Sequence, residues 1–212
     1  MSGPYQVTAD LERDLSAYTG APYAVAVNSC TAALMLAVQW MLEKGGALSS
    51  NVNIPRRTYV SVPCSIRHAG CGISWRDEDW RGAYQLKPLP VWDCARRFTS
   101  DMYKFIRGSN GCIGGTFQCV SFATTKILGI EQGGAILHDN AEADKWFRRM
   151  RFDGRTEGVD PADDTFNVVG HHCLMLPSIA AQLILKLHHL PLHNDDLGDY
   201  PYPDLSQHPA FQ

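Results

Sequence analysis

The chain has 212 residues, of which 45% are hydrophobic and 19% are charged, a composition typical of a globular protein rather than a disordered or collagen-like one. Its 19 basic and 22 acidic residues give a net charge of −3, which excludes a whole-chain attraction to nucleic acid but leaves a local basic patch open. The apolar runs are short and the first residues show no signal-peptide pattern, so the sequence predicts a soluble protein of the cytoplasm, or of the host cytoplasm if the protein is viral.

Hydrophobic periodicity alternates between strands and helices along most of the chain. In chain order, the pattern predicts a helix at 11–18, a strand at 23–27, a helix at 31–43, a strand at 51–54, a helix at 59–68, strands at 73–75, 89–92, 117–122 and 134–138, and helices at 141–152 and 178–189. This alternation predicts an α/β fold in which a mainly parallel sheet is flanked by helices.

The last residues differ in character from the rest of the chain. Residues 1–190 are predicted to form one domain, while residues 191–212 contain several prolines and aspartates and no helical or strand period. We therefore predict a proline-rich C-terminal arm, which either lies along a partner subunit or is mobile.

The seven cysteines are an odd number without CxxC spacing, which favours reduced thiols over a disulfide framework. His171, His172 and Cys173 form the nearest thing to a metal-binding cluster. Adjacent side chains point to different faces of the backbone, so we predict no metal site there.

Two ionisable residues follow predicted strands. Lys126 comes after the strand at 117–122 and is preceded by two threonines, which places an amine where it could form a Schiff base, although a strand-end lysine that only reaches water is the commoner case. Asp93 directly follows the strand at 89–92 and could pair with a protonated pyridine nitrogen or simply cap the next turn. From the residues alone, both interpretations stay open for each position.

Five segments, taken in order and spacing, resemble the motifs of the DegT/DnrJ/EryC1/StrS aminotransferase family. They are 28–34 (N-S-C-T-A-A-L), 55–59 (P-R-R-T-Y), 93–95 (D-C-A), 121–126 (S-F-A-T-T-K) and 132–135 (Q-G-G-A). The resemblance runs from about residue 10 to 190. It implies a three-layer fold-type I large domain that binds pyridoxal 5′-phosphate (PLP), and a homodimer, because related sites are built at a two-fold interface.

The resemblance also implies a role for each matched residue. Lys126 and Asp93 would be catalytic, the lysine through a Schiff base and the aspartate as partner of the pyridinium nitrogen. The start of the helix at 31–43 would hold the cofactor phosphate, and an aromatic ring would stack on the cofactor. The complete cofactor-binding set is Ser29, Cys30, Thr31, Tyr59, Asp93, Ser121 and Lys126.

The sequence departs from the family pattern in several places. Cys30 stands where the family has a turn glycine, and Gln132 where it has Glu. Segment 170–174 (G-H-H-C-L) lacks the Asn and Arg of the family's G-x-N-x-R element, and His171 and His172 become candidates for partner-subunit contacts. Only residues 80–88 separate the third strand from the strand before Asp93, and the family's C-terminal small domain has no counterpart. We expect a site of this kind to be open and to admit a bulky substrate.

Three functions follow as hypotheses. The first is a lyase: PLP-dependent decarboxylation of an amino acid attached to a nucleotide or a DNA base, as in the short relatives that bacteriophages use in thymine hypermodification. The alternative is an aminotransferase for a keto-sugar nucleotide, and the third is a non-catalytic subunit. A DNA partner is possible because seven arginines could contact phosphate, although they could equally form a solvated face. These are Arg56, Arg57, Arg96, Arg97, Arg148, Arg149 and Arg151.

Overall fold

The computed structural model describes residues 5–44, 51–109 and 115–211, which form six α-helices and seven β-strands. The helices are α1 (Gln6–Thr19), α2 (Cys30–Glu43), α3 (Ser61–His68), α4 (Met102–Ser109), α5 (Ala141–Met150) and α6 (Pro177–His188). The strands are β1 (Tyr23–Val27), β2 (Val52–Pro55), β3 (Ile73–Arg76), β4 (Tyr84–Gln85), β5 (Val91–Asp93), β6 (Phe117–Ser121) and β7 (Gly134–His138). Two short 3-10 helices, Leu205–Gln207 and Pro209–Phe211, follow near the C-terminus.

Every element predicted from the sequence is present, with ends that move by a few residues, and the structure adds β4 and α4. β4 contributes two residues to a hairpin with β5, too few to produce a visible alternation. α4 has eight residues, of which Met102, Tyr103 and Ile106 are buried. Such a short apolar stripe does not stand out from its surroundings in a sequence pattern.

The sheet is mixed rather than mainly parallel, which corrects the sequence prediction. Its five hydrogen-bonded strands have the order β1-β7-β6-β5-β4, and only β5 and β6 are parallel neighbours. A parallel β2–β3 pair lies alongside, joined to the segment that follows β4 by the antiparallel bridge between Asn53 and Lys87. β4 and β7 therefore run against the other strands. β7 can run antiparallel to β6 because the twelve residues between them, 122–133, form turns rather than a crossover helix.

Helices cover both faces of this sheet, which confirms the α/β class and the three-layer fold. One buried cluster lies between the sheet and the helices α2, α3 and α5, and a second lies between the sheet and α1, α4 and α6. Every residue of β6 and β7 is buried, as expected for strands enclosed on both sides. The central strands therefore hold their terminal residues in fixed positions.

The C-terminal segment packs against its own chain, which neither of the two predictions for it anticipated. Arg97 binds the carboxylate of Asp196 through two nitrogens, at 2.8 and 2.5 Å. Arg56 pairs with Asp204 at 3.3 Å, and the next residue, Leu205, is buried. We call residues 196–204, which are held by these two ion pairs, the C-terminal strap.

No helix among the described residues is long and apolar enough to span a membrane.

Candidate active site

A cavity of about 750 Å³ opens where β5 and β6 end and where α2 and β7 begin. Loops at this edge of a sheet are the usual position of a binding site in α/β proteins. All seven site residues predicted from the sequence line this cavity, which is to say Ser29, Cys30, Thr31, Tyr59, Asp93, Ser121 and Lys126.

The start of α2 is anchored at the cavity wall. The Ser29 hydroxyl caps the helix by accepting a hydrogen bond from the Ala32 amide at 3.1 Å. Gly134 allows the close approach of this turn to β7, because a Cβ atom there would lie 2.5 Å from the Cys30 amide nitrogen. The positive end of the α2 dipole thus meets the cavity, an arrangement that suits a phosphate dianion. Burial raises the pKa of the Cys30 thiol well above its usual value, so this side chain adds no negative charge.

Lys126 lies in a compact loop between β6 and β7. Its amide donates to the Ala123 carbonyl at 2.8 Å, and its carbonyl accepts from the Gly129 amide at 2.9 Å. Partial burial lowers the pKa of the Lys126 amine; the charge of Asp93 opposes this shift, and that of Arg96 adds to it. The amine is therefore neutral more often than an ordinary lysine, as a nucleophile requires.

Asp93 is a buried carboxylate at the end of β5, 3% exposed. Its Oδ1 accepts the Ala95 amide at 2.9 Å, so it does cap the following turn. Burial raises the pKa of the carboxyl, while the hydrogen bond from Ala95, the nearby Tyr84 hydroxyl and the charge of Lys126 oppose the rise. It forms no ion pair with any residue of the described ranges. A buried carboxylate without a direct ion pair matches the protonated ring nitrogen of PLP, so the residues present fit this cofactor.

A pair of hydroxyl groups near Asp93, those of Thr58 and Tyr84, was not identified from the sequence. β4 aligns Tyr84 directly across from Asp93 in the β4–β5 ladder, and the Tyr84 hydroxyl lies 2.6 Å from that of Thr58. Both side chains are buried. No sequence signal marks this pair, because it depends on the register of a two-residue strand.

Four aromatic rings, the aromatic rim, surround the mouth of the cavity. Tyr59 is 57% exposed there, and its ring meets that of Tyr202 edge-on at 6.5 Å. Trp80 stacks on Tyr202 at 6.0 Å, and Tyr200 lies 4.6 Å from Tyr202. Two rings of this rim belong to the C-terminal strap. The alternation Tyr200-Pro-Tyr202-Pro was visible in the sequence, but nothing in it indicated contact with the site.

A second, smaller cavity of about 330 Å³ adjoins the first across the aromatic rim. Arg96 lines both cavities; it donates to the Gly198 carbonyl and lies over the Tyr200 ring at 5.8 Å. Asp79 and Asp199 also line the smaller cavity. The site thus continues outward into a polar extension with one arginine at the junction.

Most of the arginines considered as phosphate contacts are engaged elsewhere. Arg148 and Arg151 bind the buried carboxylate of Glu12, and Arg149 donates to the Gly154 carbonyl. The three that remain besides Arg96 pair with carboxylates: these are Arg56, Arg57 and Arg97. Their charges are therefore largely neutralised by groups of the same chain.

The two adjacent histidines do not line either cavity. His171 contacts the Gln39 amide at 3.1 Å, and His172 contacts Asp153 at 2.9 Å. The described ranges contain no group of three or more residues placed to bind a metal ion, and the six cysteines within them are free thiols.

Comparison with known proteins places the chain among aminotransferases. The model of the DegT/DnrJ/EryC1/StrS aminotransferase family matches residues 1–81 and 85–196. A comparison with curated protein sequences gives no match.

Solved structures share the fold at low sequence identity. AtS13 from Actinomadura melliaura aligns with a TM-score of 0.69 at 20% identity, covering 89% of this chain and 61% of that one. The putative sugar aminotransferase Spr1654 from Streptococcus pneumoniae, in its PMP form, gives 0.65 at 20%, covering 90% and 60%. DesV of S. venezuelae gives 0.64 at 20%, covering 90% and 58%. The chain spans about three fifths of the length of these proteins.

Proposed function

The chain belongs to the DegT/DnrJ/EryC1/StrS aminotransferase family, whose cofactor is PLP, and on that basis we propose that it is a PLP-dependent aminotransferase acting on a sugar-like substrate. The observation that carries the proposal is the convergence of Lys126, Asp93 and the start of α2 on one cavity. The sugar-like substrate is suggested by the sugar aminotransferases that share the fold.

Three groups of the chain would hold the cofactor. The Ser29–Thr31 turn and the Ser121 hydroxyl would bind its phosphate, and Asp93 would accept a hydrogen bond from its protonated ring nitrogen. Tyr59 is proposed to stack from the mouth, where its ring is half exposed. When bound, PLP supplies an electron sink for bond cleavage at the carbon that carries the amino group.

The chain's own residues supply the remaining chemistry. The Lys126 amine is partly desolvated and has a lowered pKa, so it can act as a nucleophile and can move a proton at the reacting carbon. Burial raises the pKa of Asp93, while the hydrogen bond from the Ala95 amide and the charge of Lys126 favour the ionised carboxylate that the ring nitrogen would meet. The aromatic rim lines the mouth of the cavity, and Arg96 offers a cation to an anionic part of the substrate.

Borohydride reduction of the PLP-loaded protein, followed by peptide mapping, tests the cofactor site. We expect a phosphopyridoxyl group on Lys126. Lys104 is a matched control, since it is an exposed lysine whose amine pairs with Asp101. Loss of the adduct in Lys126→Ala but not in Lys104→Ala supports the proposal. An adduct elsewhere, or none in the wild type, contradicts it.

Decarboxylation of an amino acid attached to a nucleotide or a DNA base is the competing proposal. The polar extension beyond the aromatic rim favours it, since it offers room for a bulky substituent. Amino transfer converts the cofactor to its pyridoxamine form when an amino donor such as glutamate is added. Decarboxylation releases carbon dioxide without that conversion. Measuring both products on the same sample separates the two reactions.

We also propose a homodimer in the cytoplasm. The buried face of α6 packs against α1 of the same chain, so this face needs no second copy to cover it. Other apolar side chains remain exposed, including Leu176, Leu185 and Leu192, and these offer a surface to a second copy. Sedimentation analysis of the PLP-loaded protein tests this; a monomer at micromolar concentration contradicts it.

A further inference from the structure

We propose that Tyr84 is a positioning residue whose hydroxyl donates a hydrogen bond to the Asp93 carboxylate and so fixes this carboxylate for the ring nitrogen of the cofactor. The inference rests on the proposed PLP function. It concerns a side chain outside the residue set that the family motifs indicate, and Tyr84 itself does not line the cavity.

The backbone sets the pair in place. Tyr84 and Asp93 are directly opposite in the antiparallel β4–β5 ladder, so their side chains emerge on the same face of the sheet. Tyr84 is 3% exposed, and its ring is enclosed by Trp80 at 4.6 Å and by the guanidinium of Arg76 at 5.9 Å. A buried tyrosine held in this way has little freedom to turn its hydroxyl elsewhere.

The chemistry of Thr58, Tyr84 and Asp93 decides which group donates each hydrogen bond. An ionised carboxylate can only accept hydrogen bonds, so Tyr84 must be the donor toward Asp93. The Thr58 hydroxyl, 2.6 Å from that of Tyr84, then donates to the tyrosine oxygen. Thr58, Tyr84 and Asp93 form a chain of donors that ends on the carboxylate, with the Ala95 amide as its second donor. In this arrangement the hydroxyls of Thr58 and Tyr84 and the carboxylate of Asp93 each have a hydrogen-bond partner.

Lys126 is the charged side chain that acts on this carboxylate. It favours ionisation of Asp93, as does the Tyr84 hydroxyl, and burial opposes both. The thiols nearby have pKa values raised by burial and stay neutral. The titratable groups that face Asp93 from the surrounding elements are Tyr84, Cys30, Cys94, Cys119, Lys126 and Tyr202.

The test compares Tyr84→Phe with Tyr103→Phe. Tyr103 is equally buried, and its hydroxyl bonds the Thr116 carbonyl at 3.2 Å, away from the cavity. Carboxyl NMR of the cofactor-free protein should show Asp93 titrating at higher pH in Tyr84→Phe and unchanged in Tyr103→Phe. The dissociation constant of PLP should rise about 10- to 100-fold, the range for a hydrogen bond to a charged group. Thr58→Val keeps the tyrosine and should shift both quantities less, in the same direction.

A double-mutant cycle separates positioning from packing. In the Asp93→Asn background, adding Tyr84→Phe should change PLP affinity by less than about twofold, because the acceptor charge is already gone. An Asp93 titration in Tyr84→Phe that matches the wild type, or equal losses in both backgrounds, would overturn the role of Tyr84 alone. A wild-type protein that takes up no PLP would overturn the proposed function and this role together.

Discussion

Asp93 and Lys126 line the same cavity without forming a direct ion pair, although each charge favours the ionised form of the other. The carboxylate is held at the end of β5, and the amine is held in the loop between β6 and β7. We expect a planar ligand to lie between them, with the carboxylate at its ring nitrogen and the amine at its reacting group. Replacing Lys126 and replacing Asp93 should therefore have different consequences.

Lys126→Ala should reduce turnover by at least about 10⁴-fold, since it removes both the nucleophile and the proton carrier. Asp93→Asn should keep the Lys126 adduct but lower PLP affinity, because a neutral amide no longer compensates the charge of the ring nitrogen. Turnover and PLP affinity measured on the two variants check this division. Full turnover in Lys126→Ala would contradict the assignment.

Loosening the C-terminal strap should raise KM more than it lowers kcat. Arg97→Ala removes the bidentate ion pair to Asp196, and with it one attachment of the segment that carries Tyr200 and Tyr202. We expect KM to rise about 3- to 30-fold, because an ordered, half-buried ion pair contributes about 1–2 kcal/mol. Arg13→Ala, which breaks an exposed pair with Asp10, is the control. Equal KM values in both variants would show that the strap takes no part in substrate binding.

The Glu12 carboxylate should be a major determinant of stability. It is buried between α1 and α5, where Arg148 and Arg151 bind it and where it accepts the Ala26 amide at 2.9 Å. Glu12→Gln would leave the buried Arg151 undercompensated, at a cost of about 3–5 kcal/mol in the free energy of unfolding. Urea denaturation at pH 7 measures this. Glu142→Gln removes an exposed pair with Lys44 and should cost less than about 1 kcal/mol.

Glu12 also predicts acid sensitivity. Burial opposes its ionisation, but Arg151 and Arg148 outweigh this effect, and the pKa of Glu12 lies below its ordinary value of 4.5. A carboxyl with a lowered folded pKa contributes stability that is present above pH 4.5 and is lost as the pH falls through the folded pKa. The Glu12→Gln variant should therefore lose less stability than the wild type when the pH is lowered below 4.5.

The pKa of His138 predicts a second loss of folding stability, at higher pH than the one due to Glu12. Burial lowers its pKa from 6.5 to about 4, and the neutral ring packs against Phe147 at 5.4 Å. The unfolded state binds the proton more readily, so stability falls as the pH drops from about 6.5 toward 4, by roughly 3 kcal/mol. His138→Phe should flatten this part of the pH profile of unfolding, whereas the exposed His193→Ala should leave it unchanged. A sloped profile in His138→Phe would contradict the prediction.

The sequence by itself determined the α/β class, most helices and strands, and a set of residues that the structure brings to one cavity. These features depend on short stretches: hydrophobic periodicity marks the elements, and the Ser29–Thr31, Asp93 and Ser121–Lys126 segments lie where a strand ends or a helix begins. Residues marked by such local patterns come together in the folded protein because the ends of neighbouring strands meet at one edge of a sheet.

Only the tertiary structure decided which distant groups meet. The reversal of β4 and β7 depends on loop lengths, and the register of β4 puts Tyr84 opposite Asp93. The arginines of α5 could be assigned to Glu12 rather than to phosphate only once α1 and α5 were seen to pack together. The strap adds Tyr200 and Tyr202 to the site through ion pairs between distant residues, Arg97 with Asp196 and Arg56 with Asp204. Such contacts carry no sequence period, because they are fixed by long-range packing and charge pairing rather than by local backbone geometry.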